Sequence, residues 1–209
     1  MKTILLLILL ALVPNLSAAP KKVAEQKESD WVDARYAKVK FGPFVSGHIA
    51  TPKGSTHKGI AIRVGDKGEG TMVFDTDLCI WRAGWTGGFI KTDPARYGLI
   101  RALKPDGQII FANSPAMGVA DSRGTVVDPR NPKSGPLSKG LARYKGLYLY
   151  GQRVVVRYDV NDLQIYDSPW LAKNADGKFL FSRDLRVQKG STILQTIRLK
   201  DPAAPINLL

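Results

Sequence analysis

Two carboxylates two residues apart, Asp75 and Asp77, head the most distinctive stretch of the chain, FDTDLCIWRAGWTGGF at positions 74–89. Paired carboxylates suit glycoside hydrolysis, in which one acts as an acid and the other as a base or nucleophile. Such pairs are normally brought together from different elements at a set separation. Two Asp flanking one Thr also make an Asx-type turn that caps its own backbone. The turn is the weightier reading of Asp75 and Asp77, with catalysis as the alternative. Trp81 and Trp85, with Arg82 between them, could form an aromatic platform that stacks on sugar rings. Tryptophans are also large core residues, and packing is the weightier reading here too. Asp75, Asp77, Trp81, Arg82 and Trp85 are therefore the candidate binding residues, and no residue qualifies as a catalytic candidate.

The other chemically able side chains form no motif. Gly84, Gly87 and Gly88 mark sharp turns or close approaches of the backbone, and no Gly-Lys-Ser/Thr follows to make a phosphate loop. Ser55, His48 and His57 lack a nucleophile-elbow Gly-x-Ser-x-Gly, and both histidines are expected in a polar surface loop. Cys79 is expected as a small buried residue inside a strand. As the single cysteine it can form neither an intrachain disulfide nor a Cys-x-x-Cys site, and two histidines are too few for a His-rich metal centre. No cofactor or metal is expected. Tyr144, Tyr148, Tyr150 and Tyr158 are expected to pack across strands.

The elements that must position these residues are strands. Ile60, Ile62 and Val64 alternate with Ala61 and Arg63, and a Gly-rich turn over 65–70 leads to a strand at 71–74. A turn at 75–77 and a strand at 78–83 follow. After a loop rich in Pro, Gly, Asp and Asn at about 115–139, expected on the surface, further strands are read at 146–150, 153–160, 163–166, 179–187 and 192–199. Short strands joined by tight turns predict a mainly β fold of antiparallel meanders, a β-sandwich or related twisted sheet. One short helix is expected near 29–40.

At the N-terminus, Lys2, the apolar run Ile4–Val13 and the small residues Ser17, Ala18 and Ala19 have the three-part layout of a secretory signal. The run is too short to span a bilayer, which takes roughly 20 apolar residues, and no Cys stands at the junction to carry a lipid. The expected organisation is a signal peptide at 1–19, a leader at 20–40, one β domain at 41–200 and a tail at 201–209. The product is expected to be periplasmic or extracellular, with no stable membrane anchor. Without Lys2 the chain holds 30 basic and 18 acidic residues, a net charge of +12. That field favours an acidic glycan or envelope polymer; nucleic acid is not expected, because export removes the chain from most of it.

Several strings carry a family resemblance: KGIAIRVG at 58–65, FDTDL at 74–78, AGWTGGF at 83–89, Asp128-Pro129-Arg130, Gly135-Pro136-Leu137 and YKGLYLYG at 144–151. Together they resemble a domain of unknown function in exported bacterial proteins, where it precedes sorbosone-dehydrogenase-like and c-type cytochrome modules. The resemblance spans roughly 41–199. It implies export and an exported redox or cytochrome partner, and carries over no catalytic residue. This chain has no Cys-x-x-Cys-His, so it cannot attach haem covalently itself. The expected function is a non-catalytic accessory domain that binds a ligand or partner beside a redox or polysaccharide-degrading system. A polysaccharide hydrolase or lyase, and a basic structural protein on anionic envelope polymer, are the alternatives.

Overall fold

The computed structural model describes residues 36, 39–94 and 100–199. The expected signal peptide, the tail at 201–209 and all but three positions of the expected leader helix lie outside these residues.

The chain forms two five-stranded antiparallel sheets. The first has the order β1-β2-β3-β4-β7, from β1 (Phe44–Ile49), β2 (Thr56–Val64), β3 (Gly70–Asp75), β4 (Ile80–Thr86) and β7 (Gln108–Ala112). Between β4 and β7, β5 (Ile90–Lys91) pairs with β6 (Lys104–Pro105). The second sheet is ordered β12-β11-β10-β9-β8, from β8 (Arg143–Tyr150), β9 (Arg153–Val160), β10 (Leu163–Lys173), β11 (Phe179–Lys189) and β12 (Thr192–Leu199).

One core lies between the sheets. Ile60, Ile62, Met72 and Phe74 of the first meet Val154, Val156, Tyr158, Ile165 and Leu185 of the second. The Phe74 ring contacts Trp81 at 5.1 Å and Tyr158 at 5.7 Å between centroids. The opposite face of the first sheet is also buried: Ala61, Val73, Ala83 and Trp85 pack beneath Phe89, Ile90 and Leu103. With both faces covered, β3 and β4 are buried along their whole length. The second sheet is covered on one face only, so β9, and β10 from Gln164 to Leu171, alternate between half-buried and buried residues.

Inside the shared core sits a charged cluster. Asp167 on β10 is fully buried and Arg183 on β11 is 3% exposed. Arg183 Nε donates to Asp167 Oδ1 at 3.1 Å, and a second guanidinium nitrogen donates to Oδ2. Trp81 Nε1 donates to Oδ2 at 3.1 Å from the facing sheet, and the Tyr158 hydroxyl at 3.2 Å from β9. Burial works against the charge on Arg183, but the Asp167 carboxylate holds it on and raises its pKa.

Three expectations change. The segment before the first expected strand is not all loop: His48 lies in β1 and His57 in β2, their rings stacked 4.9 Å apart. Gly47 and the polar residues around it mask the strand alternation there. Cys79 is buried but lies in the β3–β4 turn, at φ 51°, not in a strand. The connection at 113–142 is long, as expected, yet Met117, Val119 and Leu137 are buried in the main core. Gly118 is what lets it dock, because a Cβ there would stand 1.7 Å from the Cys79 carbonyl oxygen.

Removing one partner of a buried ion pair strands the other, at a cost of about 3–5 kcal/mol. Asp167→Ala and Arg183→Ala are each expected to lose about that much stability in urea unfolding. Asp167→Leu combined with Arg183→Met is expected to lose less than either.

Candidate functional site

The β3–β4 turn is built by Asp75. Its Oδ1 accepts the backbone N–H groups of Asp77 at 3.0 Å and Leu78 at 3.2 Å, which is the Asx-type cap. Its Oδ2 accepts from Arg82 Nη1 at 3.3 Å. Arg82 is 1% exposed because of a β-bulge: Phe74 pairs with Trp81 and Val73 with Ala83, leaving Arg82 as the extra residue. From there it donates to the carbonyls of Asn113 at 3.0 Å and Lys53 at 2.8 Å. One guanidinium thus ties together the turn, the loop after β1 and the start of the 113–142 connection.

That bulge also decides the fate of the two tryptophans. Without it, Trp81 and Trp85, four residues apart, would share one face of the strand. With it, Trp81 enters the core between the sheets, bonded to Asp167, while Trp85 enters the opposite core and donates from Nε1 to the Phe89 carbonyl at 2.7 Å. The two residues are 1% and 0% exposed, so they fill the two cores and form no open platform.

Asp75, Asp77 and Arg82 do come together, in a cleft of about 380 Å³ also lined by Lys58, Asp128 and Arg130. Asp77 faces Lys58 Nζ at 3.8 Å. Asp128 receives a two-pronged contact from Arg130, with Nε to Oδ1 and Nη2 to Oδ2 both at 2.9 Å. Those hydrogen bonds hold the Asp128 carboxyl below its ordinary range. Burial pushes the Asp75 carboxyl up, against its backbone caps and Arg82. Burial likewise pushes the Cys79 thiol up, so it is a poor nucleophile. Asp75 and Asp128 therefore serve the loops, and only Asp77 lacks a tight partner. Among the described residues no group of three or more His, Cys, Asp or Glu is arranged to hold a metal ion.

A second surface has the exposed aromatics that the cleft lacks. On the outer face of the second sheet, a groove of about 590 Å³ is lined by Tyr148, Tyr150, Val155, Tyr166, Ser168 and Arg186. Arg153 lies 3.8 Å over the Trp170 ring, and Arg157 lies 5.9 Å from the centre of Tyr166. Arg157 Nε and Ser168 Oγ are shielded from solvent with no hydrogen-bond partner. The sequence held a signal for this face: Arg153, Val155 and Arg157 alternate with the buried Val154, Val156 and Tyr158. The tyrosines divide accordingly. Tyr144 pairs with Tyr158 at the core, while Tyr150 is 82% exposed.

Residues 72–167 match the family model described as Domain of unknown function (DUF6797). The DUF6797 segment runs from β3 into β10 and ends at Asp167, so it contains Asp75, Arg82, Asp128, Arg153, Arg157 and Tyr166. Lys58, Arg183 and Arg186 lie outside it. No curated protein and no solved structure matches the chain.

The raised pKa of Asp75 gives a signed pH effect. Its ordinary value is 3.8 and its folded value lies higher, so the unfolded chain ionises first as pH rises and the folded state loses ground over that window. The stability of the natural protein relative to Asp75→Asn is expected to fall as pH rises from about 3.8 and then level off, read from urea unfolding between about pH 3 and 7.

Proposed function

We propose that this chain is a non-catalytic binding domain that holds an anionic polymer, an acidic glycan of the envelope or of a substrate, on the outer face of its second sheet. The observation that carries this reading is the set of half-buried arginines against aromatic rings on this outer face, Arg153 on Trp170 and Arg157 beside Tyr166, on the same face as a groove. One nitrogen of Arg153 faces Asp184 at 3.9 Å and one of Arg157 faces Asp159 at 3.5 Å, and the remaining donors of each ordered guanidinium favour a carboxylate or phosphate over a neutral ligand. The net charge of +13 on the whole sequence works in the same direction at long range.

We further propose that the N-terminal segment exports the chain to the periplasm or beyond, in keeping with its signal-like layout. There it would serve beside a redox or polysaccharide-degrading partner. The enzyme alternative rests on Asp77 and Asp75 in the cleft. Its weakness is that Asp75 spends both oxygens on the turn and on Arg82, which leaves no free partner for Asp77 in acid–base work.

Binding is expected to be saturable for anionic polysaccharides and undetectable for a neutral glucan, and to weaken steeply with added salt. Combined Arg153→Gln and Trp170→Ala should reduce it at least about tenfold. Affinity electrophoresis across polymers and salt checks this. Equal retardation by the neutral glucan, or polymer cleavage that Asp77→Asn abolishes, would overturn the reading.

A further inference from the structure

The strand register of the second sheet places its outward side chains in rows that cross the strands. Tyr166 on β10 pairs with Arg157 on β9 and with Arg186 on β11. Adjacent strands lie about 4.8 Å apart, so the two arginines flank the tyrosine at roughly 10 Å from each other. In the next row Ser168 pairs with Asp184, and both line the same groove as Tyr166 and Arg186. The groove thus offers an aromatic floor with Arg186 in its lining, Arg157 beyond the other side of Tyr166 and 3.5 Å from Asp159, and a hydroxyl and a carboxylate one row away, the carboxylate 3.9 Å from Arg153.

Each part of that arrangement selects a feature of the ligand. A tyrosine floor takes a flat, weakly polar ring face. The two arginines take anions on either side of that ring. Ser168, and the lone pairs of Asp184 that Arg153 does not face, accept hydrogen bonds from hydroxyl groups. Arg157 Nε and Ser168 Oγ, already desolvated and unpartnered, gain most from a ligand that supplies their missing bonds. A sugar ring meets the first and third requirements, and a carboxylate on the neighbouring sugars meets the second with the planar geometry that suits a guanidinium fork.

From this we infer that the row Arg157–Tyr166–Arg186 is a uronate-binding site, across which a carboxylated glycan chain runs perpendicular to the strands. The inference rests on the reading of this face as the binding surface and goes beyond it in naming the ligand's chemical class, its contacts and its direction.

The test is calorimetric titration of the full mature chain with four probes: a short oligogalacturonate, its methyl ester, dextran sulfate and an oligothymidylate. Variants are Arg157→Gln, Arg186→Gln and Tyr166→Leu, with Lys91→Gln as a charge-loss control, because Lys91 pairs with Asp106 away from this face. Thermal unfolding of each variant shows that it is folded. Oligogalacturonate is expected to bind, the methyl ester at least about tenfold more weakly. Each arginine variant should lose at least about tenfold and Lys91→Gln almost nothing.

Equal binding of the methyl ester, or equal weakening by Lys91→Gln and Arg186→Gln, would overturn the uronate site while leaving anionic binding in place. Tighter binding of oligothymidylate, lost in Tyr166→Leu, would reassign the row to single-stranded nucleic acid and overturn it likewise. No binding of any of the polymers would overturn the underlying proposal with it.

Discussion

The carboxylate of Asp167, fully buried between the two sheets, is the group around which the sandwich is arranged. It takes hydrogen bonds from Arg183 on the neighbouring strand, Tyr158 on the other neighbour and Trp81 on the facing sheet. Exposing a charge to an apolar core is costly unless every lone pair is used, so these four residues admit one arrangement. Their pairing fixes the register of β9, β10 and β11. A slip by one residue would send Asp167 and Arg183 outward and bring Tyr166 and Arg186 into the core. The buried cluster and the outer row are thus two consequences of a single register.

A second constraint acts on the first sheet. Its inner strands β3 and β4 are buried along their whole length, so β4 has no solvent side on which to put an arginine. The bulge at Arg82 resolves this by turning the guanidinium toward the loop carbonyls and Asp75. The same bulge separates Trp81 from Trp85 and commits each to its own core. What looks in the sequence like a sugar-binding motif is therefore the internal frame of the fold. The stretch that the family model spans holds these side chains except Arg183, while the loop carbonyls of Lys53 and Gly54 that accept from Arg82 lie outside it.

Much of the fold was legible because the second sheet alternates so regularly. Val154, Val156, Tyr158 and Val160 announce β9, and Phe181, Leu185 and Val187 announce β11. Alternation failed where a residue broke the pattern for a local reason. Gly47 and His48 hid β1, and Pro169 made β10 look shorter than it is. Pro169 has no N–H to donate, and the ladder to β9 stops at Asp167, two residues before it, while pairing to β11 runs on to Lys173. The Asp75 turn was readable from Asp-Thr-Asp. Arg82's burial was not, since a bulge is set by pairing with a strand that the local sequence does not display. The Asp167–Arg183 pair left a trace that parity exposes: each is a charged residue at an inward position.

The functional account turns on which surface meets a ligand, the outer face of the second sheet or the cleft beside the β3–β4 turn. Backbone hydrogen–deuterium exchange with and without oligogalacturonate distinguishes them directly. The account predicts added protection in β9, β10 and β11 around Arg157, Tyr166 and Arg186, with the 113–142 connection unchanged. Protection confined to 113–142 and the turn at 75–80 would contradict it.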